Sequence, residues 1–341
     1  MQALYDVPAP AKLNLFLHVV GKRPDGYHLL ESVFALVDWA DTLHFERRAD
    51  GLLQRHDRGD ALPAEDLCLR AARLLQAESG CGLGADIHIE KRLPSGAGMG
   101  GGSSDAASTL LALNRLWGLH WPLSRLLPLG LKLGADVPFF LGGRNAFVQG
   151  IGEDLTPFAL PERTFAIVKP DVSIPTKDIF SSPLLQRSET LAIVAVFPEH
   201  GSKKGTEQSE SSRTDVANAA QNAQKTASRV ELNAESCARI AGFLEIESKS
   251  ALIDLRNDLQ KPAEQYSSQV TQALALLESR FGNSRMTGSG SAVFATVNAV
   301  VSGKDGMSNQ PMATLPELPP GWVGKVCRSL VQHPLRGWAE D

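Results

Sequence analysis

The chain has 341 residues, 43% hydrophobic and 21% charged, with a formal net charge of −4. That length allows a substantial core and suggests two domains rather than one, and the slightly negative balance argues against a general nucleic-acid binder. No segment approaches the roughly 18 uninterrupted apolar residues of a membrane span, and the N-terminus lacks the cationic start and apolar run of a secretory signal.

Four scattered cysteines, Cys68, Cys81, Cys237 and Cys327, form no C-x-x-C pair and read as reduced thiols of a cytoplasmic protein. Residues 12–20 alternate, with Leu13, Leu15, Leu17 and Val19 on one strand face and Lys12, Asn14, Phe16 and His18 on the other. Arg23-Pro24-Asp25-Gly26 is a turn signal, followed at once by Tyr27 and His28. Residues 65–77 read as an amphipathic helix and 86–92 as a strand leading into a glycine-rich loop. Beyond the loop, Ala106, Leu110, Leu113 and Trp117 recur at helical spacing, with Gly118 as a stop and Ser103, Ser104 and Asp105 as N-cap candidates. A further helix is expected over 123–133, ending at Gly134.

A strand over 165–170, closing at Pro170, opens the second half. Residues 201–229 contain no aromatic residue and almost nothing apolar, so burial cannot offset the entropy of ordering them and a flexible surface insertion is expected. A helix near 263–280, a second glycine segment at Arg285–Ser291, a strand at 292–297, a polar loop at 302–321 and a last strand near 322–328 complete the chain. No fixed-period repeat is visible.

The segment Pro94–Ser104 packs five glycines and three serines into eleven residues. Glycine lets backbone amides approach a ligand, and a helix opening where such a loop ends adds free N–H groups and the positive end of its dipole, so a phosphate is the natural guest. Gly96-x-Gly98-x-x-Gly101 formally matches the dinucleotide fingerprint, but no acidic residue lies between Asp105 and Asp136 to hold a ribose. The loop also lacks the lysine of a P-loop. A purely structural glycine turn is the remaining plain alternative.

Two other segments complete a pattern with this loop. Pro10-Ala11-Lys12-Leu13-Asn14-Leu15, the loop up to Ala107, and Met286-Thr287-Gly288-Ser289-Gly290-Ser291-Ala292 together resemble the three signatures of the galactokinase, homoserine, mevalonate and phosphomevalonate (GHMP) kinase superfamily. Arg23–His28, Gly134-Ala135-Asp136-Val137-Pro138-Phe139-Phe140, Ser173–Thr176 and Asn257-Asp258-Leu259 are similar to the branch whose acceptor is a methylerythritol linked to cytidine diphosphate. The resemblance covers about residues 8–185 closely and 250–297 well, whereas the 201–229 and 302–321 segments are longer and more polar than the family pattern.

The resemblance implies a two-domain α+β fold, divided as 1–162 and 163–335, with the active site in the cleft between the halves. It implies an ATP-dependent kinase that phosphorylates the acceptor's 2-hydroxyl in non-mevalonate isoprenoid synthesis, working as a monomer or homodimer. Asp136 would be the general base and Lys12 the cation beside it, with Asn14 positioning substrate. Pro94, Ser95, Gly96, Ala97, Gly98, Met99, Gly100, Gly101, Gly102, Ser103 and Ser104 would hold the ATP phosphates, and Ser104 or a neighbour would help hold Mg2+. Tyr27 and Phe180 would sandwich the cytosine, His28 would bond its edge and Thr176 would line the same pocket, with Gly288, Ser289 and Gly290 closing the site from the C-terminal domain. A kinase of base-free acceptors (a sugar, homoserine or mevalonate) and an inactive nucleotide-binding regulator are the alternatives. His44, His88 and His120 show no metal-ligand spacing.

Overall fold

The computed structural model describes residues 1–59, 61–157, 159–185, 255–297, 314–339 and 341, which belong to a unit spanning Met1–Glu189 and Asp254–Asp341. The segment at 201–229, Cys237 and most of the 302–321 loop lie outside the described residues.

Apolar alternation drives the first half into a sheet. β1 (Ala3–Lys22) and β2 (His28–Arg48) form a long antiparallel hairpin across the Arg23–Gly26 turn. There the Arg23 N–H donates to the Tyr27 carbonyl and Gly26 takes a φ of +93°, a conformation open to glycine at little cost. β3 (Leu53–Arg58), β4 (Gly84–Glu90), β5 (Ala146–Gln149) and β6 (Asp154–Pro157) extend the sheet in the order β3-β4-β2-β5-β6, with β1 on β2. Helices α1 (Leu67–Ser79), α2 (Gly101–Leu116), α3 (Leu123–Leu133) and α4 (Val137–Gly142) contribute to the core of this half. The Asp66 carboxylate caps α1 by accepting from the Leu69 N–H, and Gly80 ends it in the left-handed conformation.

β1 departs from the expected alternation: Lys12, Asn14, Phe16 and His18 are buried along with the leucines. Register shifts at Pro10/Ala11 and between Asn14 and Leu17 re-phase the strand. As a result Val7 and Ala9 enter the core of the first half while Leu17 and Val19 enter that of the second. A strand covered on both faces loses its polar side, and bulges break period two.

The second half is an antiparallel sheet in the order β10-β7-β9-β8, built from β7 (Thr164–Lys169), β8 (Arg285–Met286), β9 (Val293–Thr296) and β10 (Val323–Arg328). It carries α5 (Thr176–Phe180), α6 (Gln260–Tyr266) and α7 (Ser268–Phe281). The single helix expected over 263–280 is in fact these last two. Ser267 is extended (φ −150°, ψ 124°), and its hydroxyl accepts from the Gln269 N–H, a local bond that competes with helix continuation and starts a new one. β6 and β7 belong to different sheets, and residues after β10 return to the first half, where Leu335 and Trp338 pack with its core. The fold is α+β.

Candidate active site

The glycine loop leaves β4 and enters α2, with Gly96, Gly98 and Gly100 all at positive φ (62°, 72° and 72°). α2 starts at Gly101 with Gly100 as its N-cap and no side-chain cap. Ser103, Ser104 and Asp105 therefore lie inside the helix, not at its cap, because the left-handed Gly100 makes the turn instead of a hydroxyl.

The loop is stapled to the second glycine segment. The Ser291 and Ala292 N–H groups donate to the Gly96 and Ala97 carbonyls at 3.1 and 3.2 Å. A Cβ on Gly98 would collide with the Thr287 carbonyl oxygen, and one on Gly288 would stand 2.7 Å from the Gly98 carbonyl oxygen. These two glycines are required by close backbone approach as well as by φ.

Lys12 comes from β1 and is 4% exposed. Its backbone N–H donates to the Met99 carbonyl at 3.0 Å, fixing it against the glycine loop. Its Nζ donates to Asn14 Oδ1, stands 3.6 Å from Asp136 Oδ2 and lies 4.4 Å above the Phe34 ring centroid. Burial pulls the Lys12 ammonium below its ordinary range, and the Asp136 carboxylate opposes that shift. Asp136 precedes α4, whose first turn contains Pro138, so its backbone is set by a rigid start. Its side chain is 30% exposed, leaving it open to a ligand. Asn14 is held by Thr287 Oγ1, which accepts the Asn14 N–H at 2.9 Å, and by Ser32, which accepts from Asn14 Nδ2 at 2.9 Å.

A cavity of about 470 Å3 joins Lys12, Asn14, Gly98, Gly100 and Asp136 to Tyr27, His28, Thr176, Phe180, Gly288 and Ser289. Its walls thus come from β1, the hairpin turn, the glycine loop, the approach to α4, α5 and the second glycine segment. Phe180 stacks on His28 (centroids 5.0 Å apart, 24° between planes), and Tyr27 is 60% exposed. A second cleft of about 580 Å3 lies beyond His28 and Phe180, lined among the described residues by Lys22 and Lys177 and by no carboxylate. Thr176 and Ser289 hydroxyls meet at 2.9 Å across the rim.

On the other side of the glycine loop a cleft of about 350 Å3 is lined by Pro94 through Ser103, Asp66, Lys91 and Asp105. Lys91 bonds both Asp41 and Asp105, the latter at 2.6 Å. Burial raises the Asp105 carboxyl well above the usual range, with Lys91 opposing. Thr287, Phe34, Lys91 and Asp41 carried no individual role in the sequence reading, and Asp105 only that of an N-cap candidate. Thr287 sits within the second glycine segment and could have been found there, whereas nothing in local spacing links Lys91 to Asp41.

Ser104 does not fit a Mg2+ ligand: it is 0% exposed and its hydroxyl donates to the Pro10 carbonyl at 2.7 Å. The start of α2 packs on β1, so the second serine of the pair faces inward. Among the described residues no group of three or more His, Cys, Asp or Glu side chains could hold a metal ion.

The N-terminal domain of GHMP kinases matches residues 66–144 and their C-terminal domain residues 235–305. A 4-diphosphocytidyl-2-C-methyl-D-erythritol kinase from Methylibium petroleiphilum is 56% identical over 342 residues, covering 99% of each chain. One from Verminephrobacter eiseniae is 50% identical over 345 residues, covering 100% of this chain and 99% of that protein. A crystal structure of 4-(cytidine 5'-diphospho)-2C-methyl-D-erythritol kinase superposes with a TM-score of 0.60 at 31% identity, covering 84% of this chain and 88% of that one. Homoserine kinase from Cytophaga hutchinsonii, at 17% identity and a TM-score of 0.53, covers 98% of this chain and 96% of that one and shares the fold.

Proposed function

Because the chain belongs to the 4-diphosphocytidyl-2-C-methyl-D-erythritol kinase family of GHMP kinases, we propose that it transfers the γ-phosphate of ATP to the 2-hydroxyl of that cytidine-diphosphate-linked alcohol. The observation that carries the reading is the single cavity that holds the Lys12–Asp136 pair, two glycines of the loop and the His28–Phe180 stack. A carboxylate, a cation and a phosphate loop suit a kinase of any alcohol. The aromatic stack suits an acceptor with a nucleobase, and the carboxylate-free cleft beside it, with Lys22 and Lys177, suits one with a diphosphate.

Phosphoryl transfer depends mainly on positioning and charge compensation. Asp136, open to the cavity, accepts the proton of the acceptor hydroxyl as the oxygen attacks. Lys12, desolvated and held by Asn14, stabilises negative charge on that oxygen. Backbone N–H groups of the loop and the first turn of α2 receive the ATP phosphates, and Tyr27 covers the base from the mouth. Mg2+ bound with the nucleotide would offset the charge of its phosphates. Ser104, whose hydroxyl is committed to the Pro10 carbonyl, is not assigned to hold it. Three reduced cysteines, Cys68, Cys81 and Cys327, agree with a cytoplasmic site of action.

Purified protein assayed with ATP against the cytidine-linked acceptor, galactose, homoserine and mevalonate tests the reading. Turnover confined to the cytidine-linked acceptor is expected. Equal or better turnover of a base-free acceptor would overturn the assignment.

A further inference from the structure

After β10 the chain crosses to the first sheet and meets β2, the strand paired with the one that carries Lys12, and the end of the helix that follows Asp136. Ser329 bridges to Val37, and the Leu330 N–H donates to the Leu36 carbonyl at 2.8 Å. Leu36 is the residue opposite Lys12 in the β1–β2 register. Buried Asn145 holds both partners: its Oδ1 accepts the Leu36 N–H at 2.8 Å and its Nδ2 donates to the Leu330 carbonyl at 2.9 Å. A second path runs through Gly143, which ends α4 by donating to the Phe139 carbonyl and whose own carbonyl accepts the His333 N–H at 2.9 Å. α4 has six residues and follows directly on Asp136. A helix that short has little stability of its own, so its placement depends on what holds its ends.

We propose that residues 329–333, clasped by Asn145, form a positioning strap that sets the separation of Lys12 from Asp136. One end of the strap acts on the cross-strand neighbour of Lys12 and the other on the helix that follows Asp136. The two side chains face each other at 3.6 Å from different elements, so their spacing is a property of how those elements are tied. A displacement of about 1 Å at a reacting pair can lower turnover on the order of a hundredfold. Asn145 touches neither ligand cavity as lined and is a positioning residue. The inference rests on the reading of Lys12 and Asp136 as the reacting pair.

The test compares wild type with Asn145→Leu, which keeps the number and branching of the side-chain heavy atoms and removes both hydrogen bonds, with the smaller Asn145→Ser as a second variant if the first fails to fold. Asp341→Ala is the control, since that carboxylate accepts the Ser124 N–H at the far end of the tail. Kinetics are measured below the melting temperature of every variant. Asn145→Leu is expected to lower kcat at least roughly tenfold while both KM values change by less than about threefold, the pattern of a lost transition-state interaction.

The alkaline limb of its pH–kcat profile is also expected to move to lower pH, because a more distant Asp136 no longer supports the Lys12 ammonium against burial. Asp341→Ala is expected to change neither. An unchanged kcat, an effect on KM alone, or a fall in kcat without movement of the alkaline limb would each overturn the proposal. Asp136→Asn run in parallel separates the two levels: if it retains full turnover, the functional reading fails. If it is inactive while Asn145→Leu is normal, only the strap inference fails.

Discussion

Replacing His333 by Asn should remove a specific part of the protein's acid sensitivity. The His333 ring is 1% exposed, and burial alone lowers its pKa to about 4. Its Nδ1 accepts the Leu335 N–H at 3.0 Å while Nε2 has no partner. Protonating Nδ1 would set two hydrogens against each other, so the folded state resists the proton that the unfolded chain takes up near pH 6.5. A depressed pKa contributes stability that is present above the unfolded value and lost as pH falls toward the folded one. With about 1.4 kcal/mol per unit over the interval from 6.5 to about 4, wild type loses about 3 kcal/mol through this group.

Asn keeps an acceptor near the Nδ1 position and does not titrate. At pH 7.5 the variant should be less stable by about 1–3 kcal/mol, from the lost ring packing. The difference should then shrink and reverse on acidification, shifting by about 3 kcal/mol in total by pH 4. Urea unfolding of both proteins at half-unit pH steps measures this, and the carboxylates common to both cancel in the difference. A difference constant within about 0.5 kcal/mol across the range would refute the reasoning.

Three further outcomes follow from the site. Gly98→Ala meets both a φ of +72° and the Thr287 carbonyl oxygen, so steady-state assays should show at least a roughly tenfold loss of kcat/KM for ATP, whereas Gly80→Ala, at φ +64° with open space around it, should cost about 1–2 kcal/mol in a thermal melt and leave kinetics intact. Turnover should decline as pH rises through the lowered pKa of buried Lys12, ahead of the ordinary lysine value of 10.5; a pH–rate profile flat to pH 10.5 would contradict a role for its charge. Ser104→Ala should leave the Mg2+ dependence of the rate within about twofold of wild type and lower stability by about 1–3 kcal/mol, because the buried Pro10 carbonyl loses its donor.

Much of this site was legible in the sequence because its chemistry is written in contiguous segments. The loop from Pro94, the Lys12–Asn14 pair and the Gly288–Gly290 turn each need residue types that few other structures use, and the structure brings them to one cavity. What was not legible depends on partners distant in the chain. The burial of both faces of β1 follows from the second half closing over it. The stacking of Phe180 on His28 depends on where α5 comes to rest, and the Lys91–Asp41–Asp105 cluster joins three segments with no shared period. The capping serines misled for a local reason: a left-handed glycine can start a helix as well as a hydroxyl can, and Gly100 preceded them.

The staple between the two glycine segments bears on how the chain must be made. Lys12, the loop and Asp136 all lie before residue 163, so a fragment ending there would hold every group proposed to react. It would lack the donors from Ser291 and Ala292 that fix Gly96 and Ala97. The Leu17–Val19 stretch of β1 would lose its bonds to Arg256 and Asp258. The chemistry is thus encoded by one half and the geometry by both, so a ribosome must finish nearly the whole chain before the first half can catalyse anything.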